Sequence, residues 1–173
     1  MQSLLAVARS EGGVLTPAEI DLAEIVGDVV GELAAAAGPV RFDLVLDTAI
    51  VRGDRFLLER CAANLIENAV RYNVPGGWVR IQVRSDGDRA SLEVTNPGVR
   101  MTKREAARLL EPFVRRPAAA GTTGGGMGLG LSIARAIVKA HSGKIQARPR
   151  RDGGLEVGVG LPVDFAHTNP VGP

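Results

Sequence analysis

The chain has 173 residues and a mass of 18.1 kDa; 45% are hydrophobic and the mean hydropathy is +0.09, which suits a single domain with one core. With 21 Lys and Arg against 19 Asp and Glu the net charge is only +2, and aromatics make up 3%, too few to stack nucleic-acid bases. A single cysteine excludes an internal disulfide, no apolar run reaches the ~20 residues of a membrane span, and the N-terminus lacks the plan of a signal peptide, so a cytoplasmic domain is expected.

Met1 to Ser10 carries apolar residues at 1, 4, 5 and 8, a helical stripe that stops at Gly12-Gly13. It reads as the end of a helix whose beginning is missing. Asp21 is a candidate N-cap, with Glu24 placed for a capping box and Ile20 with Ile25 for a hydrophobic staple. That helix is expected to reach about Ala37 and stop at Gly38-Pro39. Val40, Phe42, Leu44 and Leu46 then alternate as in a half-buried strand, and Gly53-Asp54 leads into the next helix.

This helix contains R-C-A-A-N-L-I-E-N-A-V-R-Y-N from Arg60 to Asn73, and the rest of the chain is organised around it. Asn is a mediocre helix former, so two of them four apart need a reason. Asn64, Asn68, Arg71 and Tyr72 fall at i, i+4, i+7 and i+8 on one stripe, while Leu58, Cys61, Ala62, Leu65, Ile66 and Ala69 can face a core. Amide oxygens flanked by a cation suggest a metal-phosphate site beside a flat ring. Cys61 reads as a small buried hydrophobe.

Beyond Pro75-Gly76-Gly77, Val79, Ile81 and Val83 alternate with polar residues, Asp86-Gly87 turns, and Ala90, Leu92 and Val94 answer them as a hairpin. The second strand runs into T-N-P-G-V-R, which puts Asn96 and Gly98 at a strand end. Thr102 and Glu105 form a capping box for a short helix to about Leu110. Residues 112–126 hold prolines, small residues and glycines without a hydrophobic period, and are expected to form a mobile loop. Leu131, Ala134, Ile137 and Val138 define a helix ending near Ser142-Gly143, with His141 as a structural cap. Ile145 and Ala147, then Leu155, Val157, Val159 and Leu161, read as a last hairpin around Asp152-Gly153-Gly154. Residues 164–173 read as a disordered tail.

A glycine-rich loop entering a helix N-terminus suits phosphate, through unpaired N–H groups and the positive end of the dipole. The dinucleotide fingerprint G-x-G-x-x-G fails, because registers from Gly124, Gly126 or Gly128 end on Leu129, Leu131 or Ile133. The Walker pattern fails too: Gly121 and Gly126 precede Met127, and Gly125 and Gly130 precede Leu131. What remains is G-M-G-L-G-L at 126–131.

In order and spacing, N-L-I-E-N-A-V-R-Y-N, N-P-G, E-P-F-V-R and G-M-G-L-G-L-S-I resemble the four nucleotide boxes of the catalytic ATP-binding domain of two-component sensor histidine kinases, in the gyrase/chaperone/histidine kinase/MutL superfamily. The resemblance spans 14–163 and leaves 1–13 as the end of a dimerisation-domain helix plus linker. It implies a two-layer α/β sandwich, a mixed sheet of about five strands packed on three helices, with ATP between the asparagine helix and a flexible lid.

By that resemblance Asn68 coordinates Mg²⁺ with Asn64 assisting, Arg71 contacts phosphate, Tyr72 the adenine side, and Arg115 the γ-phosphate. Asn96 and Gly98 belong to the adenine box, and Gly126, Gly128, Leu129 and Gly130 to the phosphate loop. Phe113 would anchor the lid in the core. Related gyrase-like ATPases carry a glutamate at the place of Asn64 to activate water, and an amide cannot take that proton, so transfer is favoured over hydrolysis. Glu67, four before Arg71, is expected to form a helix-surface ion pair with it. The family has Asp at Asn96 and Gly at Arg100; the neutral amide is expected to weaken the adenine contact by ~1 kcal/mol.

Neither His141 nor His167 sits in the H-E-x-x-[ST]-P context of a phosphoacceptor, so the implied partners are a histidine-bearing dimerisation domain in the parent protein or a separate chain, and a response-regulator receiver domain downstream. Competing readings are a gyrase- or chaperone-like ATPase switch, a non-catalytic nucleotide-binding regulatory module, and a serine kinase acting on an antisigma-factor antagonist.

Overall fold

The computed structural model describes residues 17–114 and 128–163. In chain order the elements are β1 (Ala18–Asp21), α1 (Leu22–Ala34), β2 (Arg41–Leu46), β3 (Ile50–Gly53), α2 (Arg55–Arg71), β4 (Trp78–Asp86), β5 (Arg89–Asn96), α3 (Lys103–Arg108), α4 (Gly130–Ala140), β6 (Lys144–Pro149) and β7 (Leu155–Pro162). The expected helix end at 1–13, most of the expected loop and the tail lie outside the described residues.

The two expected hairpins, β4–β5 and β6–β7, supply four strands of a five-stranded sheet of order β2-β4-β5-β7-β6. The β2–β4 pair is parallel and the others antiparallel, so the sheet is mixed. Strand alternation turns Val79, Ile81 and Val83, Ala90, Leu92 and Val94, and Leu155, Val157, Val159 and Leu161 to one face, where all are buried. The apolar stripes of α1, α2 and α4 join them in one core, including Ile25 and Val26, Leu65 and Ile66, and Ile137 and Val138. On the other face Arg80 and Arg84 stay in water. These layers position the site: α2 and α4 pack side by side with β5 ending beneath them.

A two-stranded ribbon was not expected. β1 pairs antiparallel with β3, setting Ile20 opposite Val51, both buried. Each strand has four residues, which is only two turns of a period-two pattern and too short to separate from a connection. Asp21 does cap α1, but the expected capping box with Glu24 does not close. The Asp21 carboxylate accepts from Ala23 N and Ala49 N, tying the helix start to the turn before β3, and Glu24 instead lies 3.8 Å from Arg55. The helix stops at Ala34, short of the expected Ala37. Leu44 is 41% exposed because β2 is an edge strand, whereas Phe42 and Leu46 do pack on the core.

The Thr102–Glu105 box forms as expected, with Thr102 N donating to Glu105 Oε2 at 2.7 Å and Glu105 N to Thr102 Oγ1 at 3.2 Å. The bond from the Thr102 backbone holds the Glu105 carboxyl below the usual carboxylate range. His141 is the C-cap of α4. Its Nε2 accepts from Asp54 N at 3.1 Å, so Nδ1 carries the proton and donates to Ile137 O at 2.8 Å. The cap is therefore an imidazole that bridges α2 and α4, a structural role as expected.

Candidate functional site

Asp54 starts α2 as its N-cap, its carboxylate accepting from Leu57 N at 3.0 Å. From there the helix buries Leu57, Leu58, Cys61, Ala62, Leu65, Ile66 and Ala69, the face foreseen from spacing with Leu57 added. The opposite stripe, Arg60, Asn64, Asn68 and Arg71, walls a cavity of about 450 Å³ whose other side is Gly128, Leu129 and Gly130 at the start of α4. Tyr72 and Glu67 also line it, and Leu109, Val114 and Ile133 add apolar surface. Mostly apolar walls with a few convergent polar groups are the composition of a small-ligand site.

Two features suit this cavity to an anion. Leu129, the N-cap of α4, makes no side-chain cap, so nothing from its side chain occupies the first-turn N–H groups. Asn64 Nδ2 is buried without a hydrogen-bond partner among the described residues, which leaves a donor waiting for a ligand. A β-carbon on Gly130 would stand 3.3 Å from Asn64 Oδ1, so glycine is what lets α4 come this close to the asparagine. Among the described residues no group of three His, Cys, Asp or Glu could hold a bare metal. The donor set therefore fits Mg²⁺ only as a cation held jointly by amide oxygens and a ligand's phosphates.

Gly128 takes φ +70, and its carbonyl accepts from Phe113 N at 3.2 Å. A side chain there would meet Val114 O at 2.8 Å. Phe113 corrects an expectation: it does not enter the core but is 73% exposed, because its own φ of 64 swings the ring outward. Val114 packs on the core in its place. Glu67 and Arg71 also depart from expectation, since no ion pair joins them among the described residues. An exposed i,i+4 pair is worth only a few tenths of a kcal/mol, too little to fix two side chains on the rim of an open cavity.

Asn96 and Gly98 do not line the cavity. Asn96 is 2% exposed at the end of β5, with Nδ2 donating to Pro97 O at 2.7 Å and to Tyr72 O at 3.3 Å, so it abuts the C-terminal end of α2. Gly153 and Gly154, at φ +93 and +102, press so closely on Gly98 O and Asn96 O that a β-carbon on either would collide. Arg115 and Gly126 lie outside the described residues. The structure thus gathers Asn64, Asn68, Arg71, Tyr72, Gly128, Leu129 and Gly130 and sets Asn96 and Gly98 at one end. Arg60 was missed as a wall residue, although it stands four before Asn64 on the same stripe. Cys61, at 4.0 Å from Ala134 O between the two helices, is no nucleophile: burial pushes its thiol up to about 12.

The sequence profile of the histidine kinase-, DNA gyrase B-, and HSP90-like ATPases matches residues 53–164, from the last residue of β3 to just past β7. The chain belongs to this family. Within it, the sensor protein CutS of Streptomyces coelicolor is 41% identical over 166 residues, covering 94% of this chain and 40% of CutS. The sensor protein kinase PmrB of Pseudomonas aeruginosa is 36% identical over 167 residues, covering 94% and 35%. The chain thus spans about two fifths of the length of these relatives or less. The mycobacterial sensor histidine kinase MprB shares this ATPase fold with a TM-score of 0.74 at 24% identity, over 85% of this chain and 97% of that one. The histidine kinase domain of the E. coli osmosensor EnvZ has a TM-score of 0.65 at 26% identity, covering 93% and 98%. The described part of the chain has no helix long and apolar enough to cross a membrane.

Proposed function

We propose that this chain is the catalytic domain of a sensor histidine kinase: it binds Mg-ATP between α2 and α4 and hands the γ-phosphate to a histidine on another domain or chain, which in turn supplies a response-regulator receiver. Support comes first from the asparagine stripe. Asn64 and Asn68 stand on the cavity wall facing the uncapped start of α4, and the Asn64 amide nitrogen has no partner among the described residues.

In this reading the α4 N–H groups and Gly128-Leu129-Gly130 hold the phosphates by backbone, while Arg71 offers a guanidinium from the last turn of α2. Arg115 would be a second cation toward the γ-phosphate. Bound Mg²⁺ would neutralise the β- and γ-oxygens, with Asn68 as its protein ligand and Asn64 assisting. Tyr72, Asn96 and Gly98 form the adenine end, where Asn96 Oδ1 is the acceptor that a 6-amino purine requires. The nitrogen of the incoming histidine attacks γ-phosphorus, the bond to the β-phosphate oxygen breaks, and ADP leaves with the electron pair. Asn64 cannot act as a base toward water, which keeps the γ-phosphate for the protein acceptor.

Glu67 sustains a second reading. It is the one carboxylate on the described cavity wall and is not engaged by Arg71, so a gyrase-like hydrolysis with Glu67 as base remains the competitor. Calorimetry of the chain with Mg-ATP, followed by γ-labelled ATP and a phosphate-release assay, separates them. Transfer predicts binding, no label on this chain and slow release; steady release that Glu67→Gln abolishes favours hydrolysis.

A further inference from the structure

Trp78, the chain's one tryptophan, begins β4 and points to the sheet face away from the helices. The Arg150 guanidinium lies over its ring at 4.7 Å from the centroid, and Arg80 flanks it at 5.3 Å. Arg80 is anchored to β2 by Asp43 at 2.7 Å. Arg150, with Asp152 at 4.0 Å, belongs to the turn between β6 and β7 and ties that turn to the indole.

Around Asn96-Pro97-Gly98 the contacts form a closed circuit. On one side Asn96 Nδ2 donates to Tyr72 O, and the neighbouring Asn73 donates through its own Nδ2 to Trp78 O at 3.0 Å. On the other side Arg150 N donates to Gly154 O and Gly154 N to Val99 O, both at 3.2 Å. The adenine box is held between two turns, 72–78 and 150–154, and the Trp78–Arg150 stack joins those turns across the sheet.

We propose that Trp78 and Arg150 are positioning residues for the adenine side of the site: their stack holds the β6–β7 turn down on Asn96-Pro97-Gly98, which keeps Asn96 Oδ1 toward the purine. This rests on the ATP reading above. An asparagine needs such support more than an aspartate would. A carboxylate presents two equivalent acceptor oxygens, whereas an amide presents one, so its contact with a purine amino group depends on how the segment is oriented.

The test titrates Mg-ADP into the wild-type chain and the Arg150→Ala, Arg150→Lys and Trp78→Phe variants by calorimetry, with thermal unfolding midpoints recorded without nucleotide. Arg150→Ala is expected to bind Mg-ADP about fivefold to tenfold more weakly at a temperature where it is fully folded, and Arg150→Lys, which keeps a cation over the ring, to recover most of that loss. Because no other residue is a tryptophan, emission reports on the stack alone: it should shift as Mg-ADP binds wild type, and shift less in Arg150→Ala. A lowered midpoint with Mg-ADP affinity within about twofold of wild type makes the stack merely structural and overturns the assignment. No binding by wild type overturns the ATP reading and this one together.

Discussion

Asn96 carries two conflicting demands. A carboxylate there would strengthen the proposed adenine contact by ~1 kcal/mol, about fivefold in affinity. Yet Asn96 Nδ2 is the donor that satisfies Pro97 O and Tyr72 O at a position 2% exposed. A carboxylate would set an oxygen against both carbonyls at a cost of roughly 1–3 kcal/mol. Asn96→Asp is therefore expected to bind Mg-ATP about fivefold more tightly by calorimetry while unfolding at lower urea; unchanged or weaker binding would show that the amide costs nothing at the purine. Cys61 gives a second residue-scale test. Its thiol is raised from 9.0 to about 12 by burial, so between these values the folded chain keeps a proton that the unfolded chain loses. The unfolded state then binds fewer protons, and the contribution is whole below pH 9 and falls by up to ~1.4 kcal/mol per unit as pH rises toward 12. Urea unfolding at pH 9 and pH 10.5 should show the stability gap between wild type and Cys61→Ala changing by about 1–2 kcal/mol against wild type. A pH-independent gap would mean that the thiol is not buried as described.

At the scale of elements, α2 and α4 are joined at both ends: by the cavity at one, and by His141 at the other. The His141 ring accepts from Asp54, the N-cap of α2, and fits only because residue 53 is glycine. A β-carbon on Gly53 would come within 2.6 Å of the imidazole and 3.0 Å of Leu58. Gly53→Ala should cost at least ~1–3 kcal/mol in urea unfolding, and His141→Ala ~1–2 kcal/mol from the lost bond. Together they should cost less than their sum, since removing the ring relieves the clash. Strict additivity would contradict the contact. Periodicity over α2, α4 and the two hairpins was readable in advance because each runs through several repeats of its pattern. The β1–β3 ribbon, with two repeats per strand, and Glu24, drawn off its helix by Arg55, were not, because partners far along the chain decided both.

For the whole molecule, residues far apart in sequence meet through α2–α4 packing: the asparagine stripe of α2 and Gly128-Leu129-Gly130 wall one cavity, with Asn96 at the end of β5 to one side. Spacing along α2 located the amide stripe, and the backbone loop at Gly128-Leu129-Gly130 was recognisable once its glycine registers had excluded other nucleotide motifs. Arg60 was readable from the same stripe, four before Asn64, whereas Val114 on the wall and the outward turn of Phe113 depend on neighbours and on a left-handed φ that no local pattern reveals. The proposed role of this site is to pass phosphate to a histidine outside the chain. The most direct measurement mixes the chain with γ-labelled Mg-ATP, with and without the histidine-bearing dimerisation domain of its parent protein or neighbouring gene. Acid-labile label is expected on that domain's histidine, with ADP formed in step with it and no label on this chain. Label on this chain alone, or phosphate released at the same steady rate whether or not the acceptor is present, would contradict it.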